Sequence, residues 1–571
     1  MCSIFHSCST KFLFTGTLKQ RVLSVVSISL QSKSDYPEVV TDYGKLRGAI
    51  STSRNGRKFL SFSGIPYAEA PVGSLRFKPP VPCKGWEGTR DATKEGNVAV
   101  QAGLASKKIF GDEDCLFANI YTPEGDGALK PVLVWIHEGA FVVGSGSALL
   151  YGAHFFMDYD IVLVTFNYRL GVLGFLNLDL EDAAGNMGMK DQVLLLKWVQ
   201  KEIKNFGGDP NNVTLGGSSA GGACVHHHMI SPMSRGLFHK AIAQSGTLPG
   251  EWAFMKHHQK IGLDLGKHLS FDAKNKEELL GHLMTVPAKQ LIEVQDFSVS
   301  QEKHFKGNDF AFLPSIETVG SDRFVSSDPH ELIVSKNPMD IPFLTGVNLN
   351  DGFLILQTIK ERPHMIKTLN TDLRFLFEDL VFPPSLTSEE ITKLASRIRR
   401  HYFGEETIEY PKNFHELVDL YGTLIVQFPA ILTLYHLKNK PRKSPIFFYK
   451  FSVDTPFGWY TQLLIKRGLL EPGKRGAAHC DELGYLFSCA MNAEKPLESG
   501  SLADMTISRM TKMWTNFAVT GDPSADIKWK PTFSTEYEKP MGLKIGEELV
   551  FEPIKEFDLL STFKELVRLP K

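Results

Sequence analysis

No sign of charge dominates this sequence, and it contains no long hydrophobic run. Its 571 residues include 63 Lys and Arg and 64 Asp and Glu, which gives a formal net charge of −1. This balance argues against a nucleic-acid-binding protein and against a basic membrane-binding surface. The longest apolar run, Leu424 to Leu437, is interrupted by Gln427, Pro429 and His436. It is shorter than the roughly 18 residues that cross a bilayer, so we predict a buried helix or strand rather than a membrane span.

Cysteine is scarce, and acceptors for N-glycosylation are nearly absent. The seven cysteines lie at positions 2, 8, 83, 115, 224, 480 and 489, without a CxxC pair or a Cys/His cluster of zinc spacing. We therefore expect no metal site and no disulfide framework. The one N-x-S/T acceptor, at Asn212, leads into a predicted buried strand. These absences favour a reducing compartment. The cytoplasm is the predicted location, with secretion and organelle targeting as alternatives.

Acidic residues are missing from the start of the chain, where none precedes Asp35. The first 36 residues are rich in serine, and an apolar segment, Val22 to Leu30, follows Arg21. A signal peptide, a transit peptide and a disordered extension all have this composition, and the three alternatives stay open. Beyond this extension we find no internal repeat and no flexible linker, so residues 37–571 are predicted to form a single domain.

Short runs rich in β-branched and aromatic residues alternate with helical patterns along the chain. The run from Asp191 to Phe206 has helical periodicity and ends at a Gly-Gly-Asp-Pro turn. Such alternation is typical of an α/β fold, in which a mostly parallel sheet is covered by helices on both faces. Residues 253–340 and 355–440 are predicted to be helical insertions that cover the ends of the strands. The predicted strands are "VLVWI" (132–136), "IVLVTFNY" (161–168), "VTL" (213–215), "IPFLTGV" (341–347) and "IFFYKFSV" (446–453).

Two adjacent serines lie in the stretch "LGGSSAGG", between a predicted strand and a predicted helix. A nucleophile elbow has this strand–turn–helix context, and the positions two before and two after its nucleophile must be very small. Ser219 has Gly217 and Gly221 at those positions, whereas Ser218 would have an alanine at one of them. Ser219 is therefore the predicted nucleophile.

Three histidines, His226, His227 and His228, follow the serines on the predicted helix. Successive helical residues point about 100° apart, so these side chains cannot converge on one ligand. A serine also does not easily reach a base one or two turns along its own helix. We predict packing or surface roles for these histidines.

Several motifs in chain order are typical of a single family. They are "GIPYAEAPVGSLRF" (64–77), "DEDCLFANIYTP" (112–123), "NYRLGVLGF" (167–175), "GNMGMKDQ" (185–192), "NFGGDP" (205–210) and "TLGGSSAGG" (214–222). With these motifs the chain resembles, from about Pro37 to about Pro523, the type-B carboxylesterase and cholinesterase family of α/β-hydrolases, and within it insect esterases of the α-esterase kind. The resemblance implies an α/β-hydrolase fold and a serine carboxylesterase.

The resemblance also implies the partners of the serine. In α/β-hydrolases the serine is followed along the chain by an Asp or Glu and then by a His. "TGVNLNDGF" matches the family's acid turn and implies Asp351 as the acid. Glutamate is commoner there, and a plain Asn-Asp-Gly turn is the alternative. "GAAHCDELGYLF" matches the family's histidine loop and implies His479 as the base. A serine hydroxyl needs an imidazole to take its proton, and the carboxylate fixes the tautomer of that imidazole.

The segment "WIHEGAF" (135–141) resembles the family's HGGGF segment. It implies an oxyanion hole formed by the backbone N–H groups of Gly139 and Ala140, with that of Ala220 as a third donor. Small residues at these positions let a substrate carbonyl approach the backbone. Glu138 stands where the family has glycine, and an acid at this place is expected to alter leaving-group or pH preference.

Other matched positions imply supporting roles. Ser245 and Glu482 resemble the residues that support the histidine from behind. Trp252 resembles a residue that lines the acyl pocket, and a plain core position is the equal alternative for it. Two buried ion pairs of the family correspond to Arg76 with Glu113 and to Arg169 with Asp191.

Some family features are missing from the chain. Cys115 stands where the family has one half of a disulfide, but the expected partner position is Ala99, so this disulfide is expected to be absent. No tryptophan lies between these two residues, where cholinesterases stack choline, so quaternary ammonium substrates are not expected. Juvenile hormone esterases usually have glutamine before the serine, and Ser218 argues weakly against that activity.

The sequence therefore predicts a broad-specificity serine carboxylesterase that acts on small uncharged esters of xenobiotic, lipid or hormone metabolism. It predicts no cofactor, no metal and no nucleic-acid partner, and it leaves the oligomeric state open. One alternative is an esterase of slow turnover that sequesters xenobiotics or organophosphates with the same triad. A non-catalytic, cholinesterase-like adhesion protein is a further alternative, although such relatives typically lose the serine.

Overall fold

A computed structural model describes residues 36–562, apart from 104–107, 126, 256–257, 296–310, 336–337, 377–386, 474–475 and 525–526. The predicted N-terminal extension, residues 1–36, lies outside these ranges except for Tyr36. The described chain contains an 11-stranded sheet of order β11-β10-β9-β8-β7-β6-β4-β5-β3-β2-β1. In chain order its strands are β1 (Ala49–Thr52), β2 (Lys58–Pro66), β3 (Phe117–Pro123), β4 (Lys130–Ile136), β5 (Val162–Phe166), β6 (Gly208–Ser218), β7 (Lys240–Gln244), β8 (Phe343–Asn348), β9 (Ile446–Phe451), β10 (Met541–Ile545) and β11 (Leu549–Pro553).

The centre of this sheet is parallel. Strands β4 to β10 all run in the same direction, and antiparallel strands close both edges, with β11 beside β10 and with β3, β2 and β1 beyond β5. The mostly parallel α/β sheet predicted from the alternation of strands and helices is confirmed. All five predicted strands occur, as β4, β5, β6, β8 and β9. The predictions at 161–168, 341–347 and 446–453 extend one or two residues beyond the observed strands.

Helices connect the strands and cover the sheet. The predicted helix at 191–206 begins earlier, at Met187, and its last turn, Ile203–Phe206, is a 3₁₀ helix. In chain order the helices are α1 (Ala148–Tyr151), α2 (Gly171–Phe175), α3 (Met187–Glu202), α4 (Ala220–Ile230), α5 (Gln259–His268), α6 (Lys276–Leu283), α7 (Ala288–Val294), α8 (Pro329–Ser335), α9 (Ile355–Glu361), α10 (Met365–Thr371), α11 (Ser388–Phe403), α12 (Phe414–Gly422), α13 (Phe428–Lys438), α14 (Trp459–Lys466), α15 (Leu483–Leu486), α16 (Leu502–Thr520) and α17 (Leu559–Thr562).

Both faces of the sheet are buried, because successive residues of a strand point to opposite faces and both sets are apolar in the central strands. In β4, Val132 and Val134 belong to one core cluster, whereas Leu133 and Trp135 belong to the other. The first cluster includes apolar residues of α3 and α4, and the second includes those of α16. The site at the ends of β4 and β6 is therefore supported from two packed layers.

The described parts of the two predicted insertions are largely helical, with α5 to α8 in the first and α9 to α13 in the second. One helical segment in the described ranges, Phe414–Lys438, is long and apolar enough to cross a membrane. It contains an 18-residue stretch of mean hydropathy 1.6, of which 89% lies buried inside the protein. It comprises α12, a π-helical stretch Thr423–Gln427 and α13. The apolar run from Leu424 is therefore a buried helix, and the strand alternative is wrong.

Candidate active site

Ser219 lies at the sharp turn between β6 and α4. Its backbone has φ 53° and ψ −122°, a conformation that is strained for a residue with a Cβ. The turn is closely packed: a Cβ on Gly217 would lie 2.5 Å from the Gly221 carbonyl carbon, and one on Gly221 would lie 2.2 Å from the Ile136 carbonyl oxygen. Only glycine fits at both positions. The structure thus provides the small neighbours that an elbow requires on either side of Ser219.

Ser218 points towards the histidine loop. Its Oγ lies 3.5 Å from Sγ of Cys480, and both side chains are buried. Because Cys480 directly follows His479, this contact joins the turn that carries Ser219 to the loop that carries His479. Ser218 therefore has a packing role, and its hydroxyl is occupied away from the elbow.

Asp351 and His479 form a buried hydrogen bond. His479 Nδ1 lies 2.7 Å from Asp351 Oδ1, and the two side chains are 4% and 0% exposed. Because a carboxylate only accepts, Nδ1 carries the proton and Nε2 has the free lone pair. Nε2 is buried and has no hydrogen-bond partner in the described chain. A serine–histidine bond that is not yet formed is common in unliganded hydrolases.

The electrostatic surroundings favour a protonated His479. Burial by itself lowers the pKa of this imidazole, but the hydrogen bond and charge of Asp351, followed by the charges of Glu482 and Glu138, outweigh burial and raise it. A base with a raised pKa holds a proton more readily, so these three acids stabilise the imidazolium that forms when a serine is deprotonated.

Backbone pairing brings the acid turn to the histidine loop. Asn350 N donates to Ala477 O at 2.9 Å, and Asn350 forms an isolated bridge with Ala478. This contact lies one residue before each of Asp351 and His479, so the shorter carboxylate reaches Nδ1 without the extra methylene of glutamate.

A network of buried amides and acids lies behind the pair. Ser245 Oγ donates to Asp351 Oδ2 at 3.1 Å, and the backbone N–H of Asn348 donates to the same oxygen at 2.8 Å. Glu482 accepts from Gln244 Nε2 at 2.8 Å and from the side-chain amide of Asn348. Ser245 and Glu482 therefore lie where the sequence predicts. Gln244 and Asn348 were not predicted. The sequence signals for them are that Gln244 directly precedes Ser245 and that Asn348 lies inside the motif "TGVNLNDGF".

The proposed oxyanion donors lie in strained backbone after β4 and at the start of α4. Gly139 and Ala140 have φ values of 114° and 55°, and Phe141 continues at 64°. Ala220 is the first residue of α4, where a helix leaves its amide without an intrahelical partner. No described residue accepts a hydrogen bond from any of the three amides. They are therefore available to a bound oxygen.

Glu138, which replaces the family's glycine, is buried beside these amides. Its carboxylate accepts a hydrogen bond from the hydroxyl of Tyr151. Burial raises the pKa of Glu138 to about 7, against opposing contributions from its backbone and from His479. Its neighbour His137 stacks on Tyr168 with ring centroids 4.4 Å apart.

Trp252 lies in the core, with 7% of its surface exposed. Its indole N–H donates to the carbonyl of Ile425 in the π-helical stretch at 3.0 Å, so it ties the segment after β7 to the second insertion. The structure supports the core position, and a role in the acyl pocket stays a prediction.

The three histidines of α4 are buried packing residues. His228 is bonded through Nδ1 to Ser234 at 2.7 Å and through Nε2 to Gln192 at 2.8 Å, and His227 lies 3.0 Å from the carbonyl of Ala253. Burial lowers the pKa of His226 and His228 to about 3 and that of His227 to about 4. The packing role is confirmed, and the surface alternative is wrong. Within the described ranges no group of three or more His, Cys, Asp or Glu residues could hold a metal ion.

Both predicted ion pairs are present. Arg76 binds Glu113 through two nitrogens at 2.7 and 2.6 Å, and Arg169 binds Asp191 at 2.9 and 2.7 Å. Cys115 is a buried free cysteine.

Comparison with known proteins places these features in one family. Residues 35–556 match the model of the carboxylesterase family. The chain is 33% identical over 537 residues to juvenile hormone esterase of Tribolium castaneum, covering 90% of this chain and 88% of that protein, and 32% identical over 545 residues to esterase E4 of Myzus persicae, covering 91% and 93%. The crystal structure of juvenile hormone esterase from Manduca sexta, with OTFP covalently attached, superposes with a TM-score of 0.80 at 27% identity, covering 93% of this chain and 99% of that one. With the strand–serine–helix turn and the buried Asp351–His479 pair, these matches show that the chain belongs to the carboxylesterase family and is an α/β-hydrolase that hydrolyses carboxylic esters.

Proposed function

We propose that the chain hydrolyses small uncharged carboxylic esters through an acyl-enzyme on Ser219, with His479 as general base and Asp351 as its orienting acid. The observation that carries this proposal is the buried 2.7 Å bond between His479 Nδ1 and Asp351 Oδ1. Because this bond keeps the proton on Nδ1, Nε2 is the nitrogen of the imidazole that can accept a proton. The contact between Ser218 Oγ and Cys480 Sγ supports the proposal, because it joins the loop that carries His479 to the turn that carries Ser219.

Acylation follows from this arrangement. The Oγ of Ser219 forms a bond to the acyl carbon of the ester while His479 Nε2 takes the hydroxyl proton. The electrons of the carbonyl double bond move onto the carbonyl oxygen. The resulting oxyanion accepts hydrogen bonds from the free amides of Gly139, Ala140 and Ala220. Collapse of the tetrahedral intermediate breaks the ester bond, and the imidazolium gives its proton to the leaving alcohol.

Deacylation repeats the sequence with water. His479 takes a proton from water as the water oxygen attacks the acyl carbon of the ester on Ser219. The second tetrahedral intermediate expels the serine oxygen, which regains a proton from the imidazolium, and the carboxylic acid leaves. Both half-reactions need only groups of the protein, the substrate and water.

Ser219→Ala tests the proposal, with Ser218→Ala as the matched control on the adjacent residue. We expect Ser219→Ala to abolish turnover of an aryl acetate, because Ser219 is the residue at the strained turn. We expect Ser218→Ala to remain active, because the Ser218 hydroxyl contacts Cys480. A fluorophosphonate label should map to the peptide that contains Ser219 in wild type only. Turnover by Ser219→Ala above the buffer rate, or labelling of another serine, would contradict the assignment.

The substrate class rests on the family and on the missing choline-stacking tryptophan. A choline ester is the discriminating comparison, and turnover similar to that of an aryl acetate would contradict the preference for uncharged esters. Juvenile hormone belongs in the same panel because two of the similar proteins are juvenile hormone esterases, although Ser218 argues against it. A burst of one equivalent of alcohol followed by a steady-state rate close to zero would instead indicate the slow-turnover, sequestering esterase.

A further inference from the structure

Glu138 is a buried acid beside the proposed oxyanion amides, and the mechanism above does not use it. It is 6% exposed, and no described lysine or arginine forms an ion pair with it. In the parallel register of β4 and β6, Ile136 pairs with Gly217. Glu138 and Ser219 each follow that pair by two residues, so the acid lies just beyond the end of β4, the neighbour of the strand that leads to the proposed nucleophile.

The carboxyl group faces the interior. It shares a cavity of about 10 Å³ with Leu150, Tyr151, Trp459 and Cys489, among others. A cavity of this size holds at most one water, so no part of an ester fits there. Glu138 therefore acts through its charge and through its hydrogen bond to Tyr151.

The charge of Glu138 reaches the catalytic base. It contributes, after Asp351 and Glu482, to the raised pKa of His479, and the positive charge of His479 in turn opposes the rise in the pKa of Glu138. Each of the two groups therefore affects the protonation of the other. Among the described residues, the ionisable groups that interact with these two side chains include Asp351, Cys480, Glu482, Cys489, Tyr151 and Tyr168.

We propose, on the basis of the function proposed above, that Glu138 held by Tyr151 is an additional positioning acid for His479. Its carboxylate stabilises the imidazolium from the side of the oxyanion amides, and protonation of the carboxylate removes that support. The hydroxyl of Tyr151 favours the carboxylate, because a hydrogen bond to the charged form of an acid stabilises that form. Glu138, which replaces the family's glycine, thus adds to the stabilisation that Asp351 and Glu482 give to the His479 imidazolium.

The test is the pH dependence of kcat/KM for an aryl acetate in Glu138→Gln and Tyr151→Phe. Removal of the neighbouring charge lowers the pKa of His479, so the base stays unprotonated to lower pH. One pH unit below the wild-type midpoint, Glu138→Gln should keep a roughly two- to threefold larger fraction of its maximal kcat/KM than wild type. Tyr151→Phe should shift the profile in the same direction without removal of a carboxyl group.

Glu202→Gln is the matched control, because Glu202 is an equally buried acid that precedes β6, at the opposite end of that strand from Ser219. Its profile should match wild type. Superimposable profiles for wild type and either folded Glu138 or Tyr151 variant would overturn the proposal. Fluorophosphonate labelling of the same preparations separates the two proposals: labelled Ser219 with unmoved profiles contradicts only the role of Glu138, whereas unlabelled wild type contradicts the proposed function.

Discussion

Asp351 shows how one side chain depends on the backbone around it. The family's commoner glutamate is one methylene longer, yet the aspartate lies 2.7 Å from His479 Nδ1 and is fully buried. The backbone bond from Asn350 to Ala477 draws the two loops together. The sequence motif suggests the acid, but the reach of its side chain depends on a contact between segments more than 100 residues apart.

Asp351→Asn is expected to lower kcat by roughly 10³- to 10⁴-fold, because an amide does not hold the Nδ1–H tautomer or stabilise the imidazolium. Asp351→Glu is also expected to lower kcat, since the buried contact leaves no room for a longer side chain. Steady-state kinetics with an aryl acetate measure both. Asp160→Asn, which changes a carboxylate that is 68% exposed, is the control. Near-wild-type kcat in Asp351→Asn would mean that the Asn-Asp-Gly turn is only structural.

At the scale of elements, α4 illustrates a helix whose polar residues are all internal. Every residue from Ala220 to Ile230 is buried, and the three histidines are accommodated only as neutral rings. Their pKa values of about 3 to 4 lie below the ordinary value near 6.5 because of burial. Below pH ~6.5 the unfolded chain binds more protons at these residues than the folded chain.

The free energy of unfolding should therefore fall as the pH drops from about 6.5 towards 3, by on the order of 2 kcal/mol per histidine at pH 5. His228→Gln should make this fall shallower, because it removes one of the three rings, even if the variant is less stable at pH 7. Urea denaturation at pH 7 and pH 5 measures the difference. His401→Gln, at an exposed position, should keep the wild-type slope, and an unchanged slope in His228→Gln would contradict the prediction.

Several strands that the sequence did not reveal lie in the outer parts of the sheet, towards its two edges. The antiparallel strands β1, β2, β3 and β11 carry serine, proline and charged residues that blur the apolar pattern. The short strand β7 reads "KAIAQ", which has little β-branched content, although all five residues are buried. Such strands form because a neighbouring strand offers free backbone N–H and C=O groups. A local residue pattern does not reveal whether such a neighbour is present.

At the scale of the whole molecule, the described core contains no disulfide, because the described cysteines are all free: Cys83, Cys115, Cys224, Cys480 and Cys489. Two apolar clusters on opposite faces of the sheet supply its stability. The cytoplasmic location predicted from scarce sequons and unpaired cysteines stays a prediction.

Reduction should therefore leave the enzyme unaffected. We expect the Tm and the kcat/KM for an aryl acetate to be equal with and without dithiothreitol, since loss of a native disulfide typically costs about 2–5 kcal/mol. Thermal denaturation followed by circular dichroism measures the first quantity. A Tm lowered by several degrees on reduction would show that a disulfide contributes to stability.

The sequence by itself determined the strand–helix alternation, the small neighbours of Ser219 and the exclusion of His226 to His228 from the site. These follow from spacing and residue size, which are local properties. The pairing of Asp351 with His479 was implied by the resemblance. Tertiary structure decided which groups interact around His479. Gln244 and Asn348 bind Glu482, Tyr151 binds Glu138, and the charges of both acids act on His479. Tertiary structure also decided that Trp252 donates to Ile425. The reason is that the pKa of a buried group depends on charges that strand register and loop contacts bring near it. The sequence does not reveal which residues far apart in the chain become neighbours in this way.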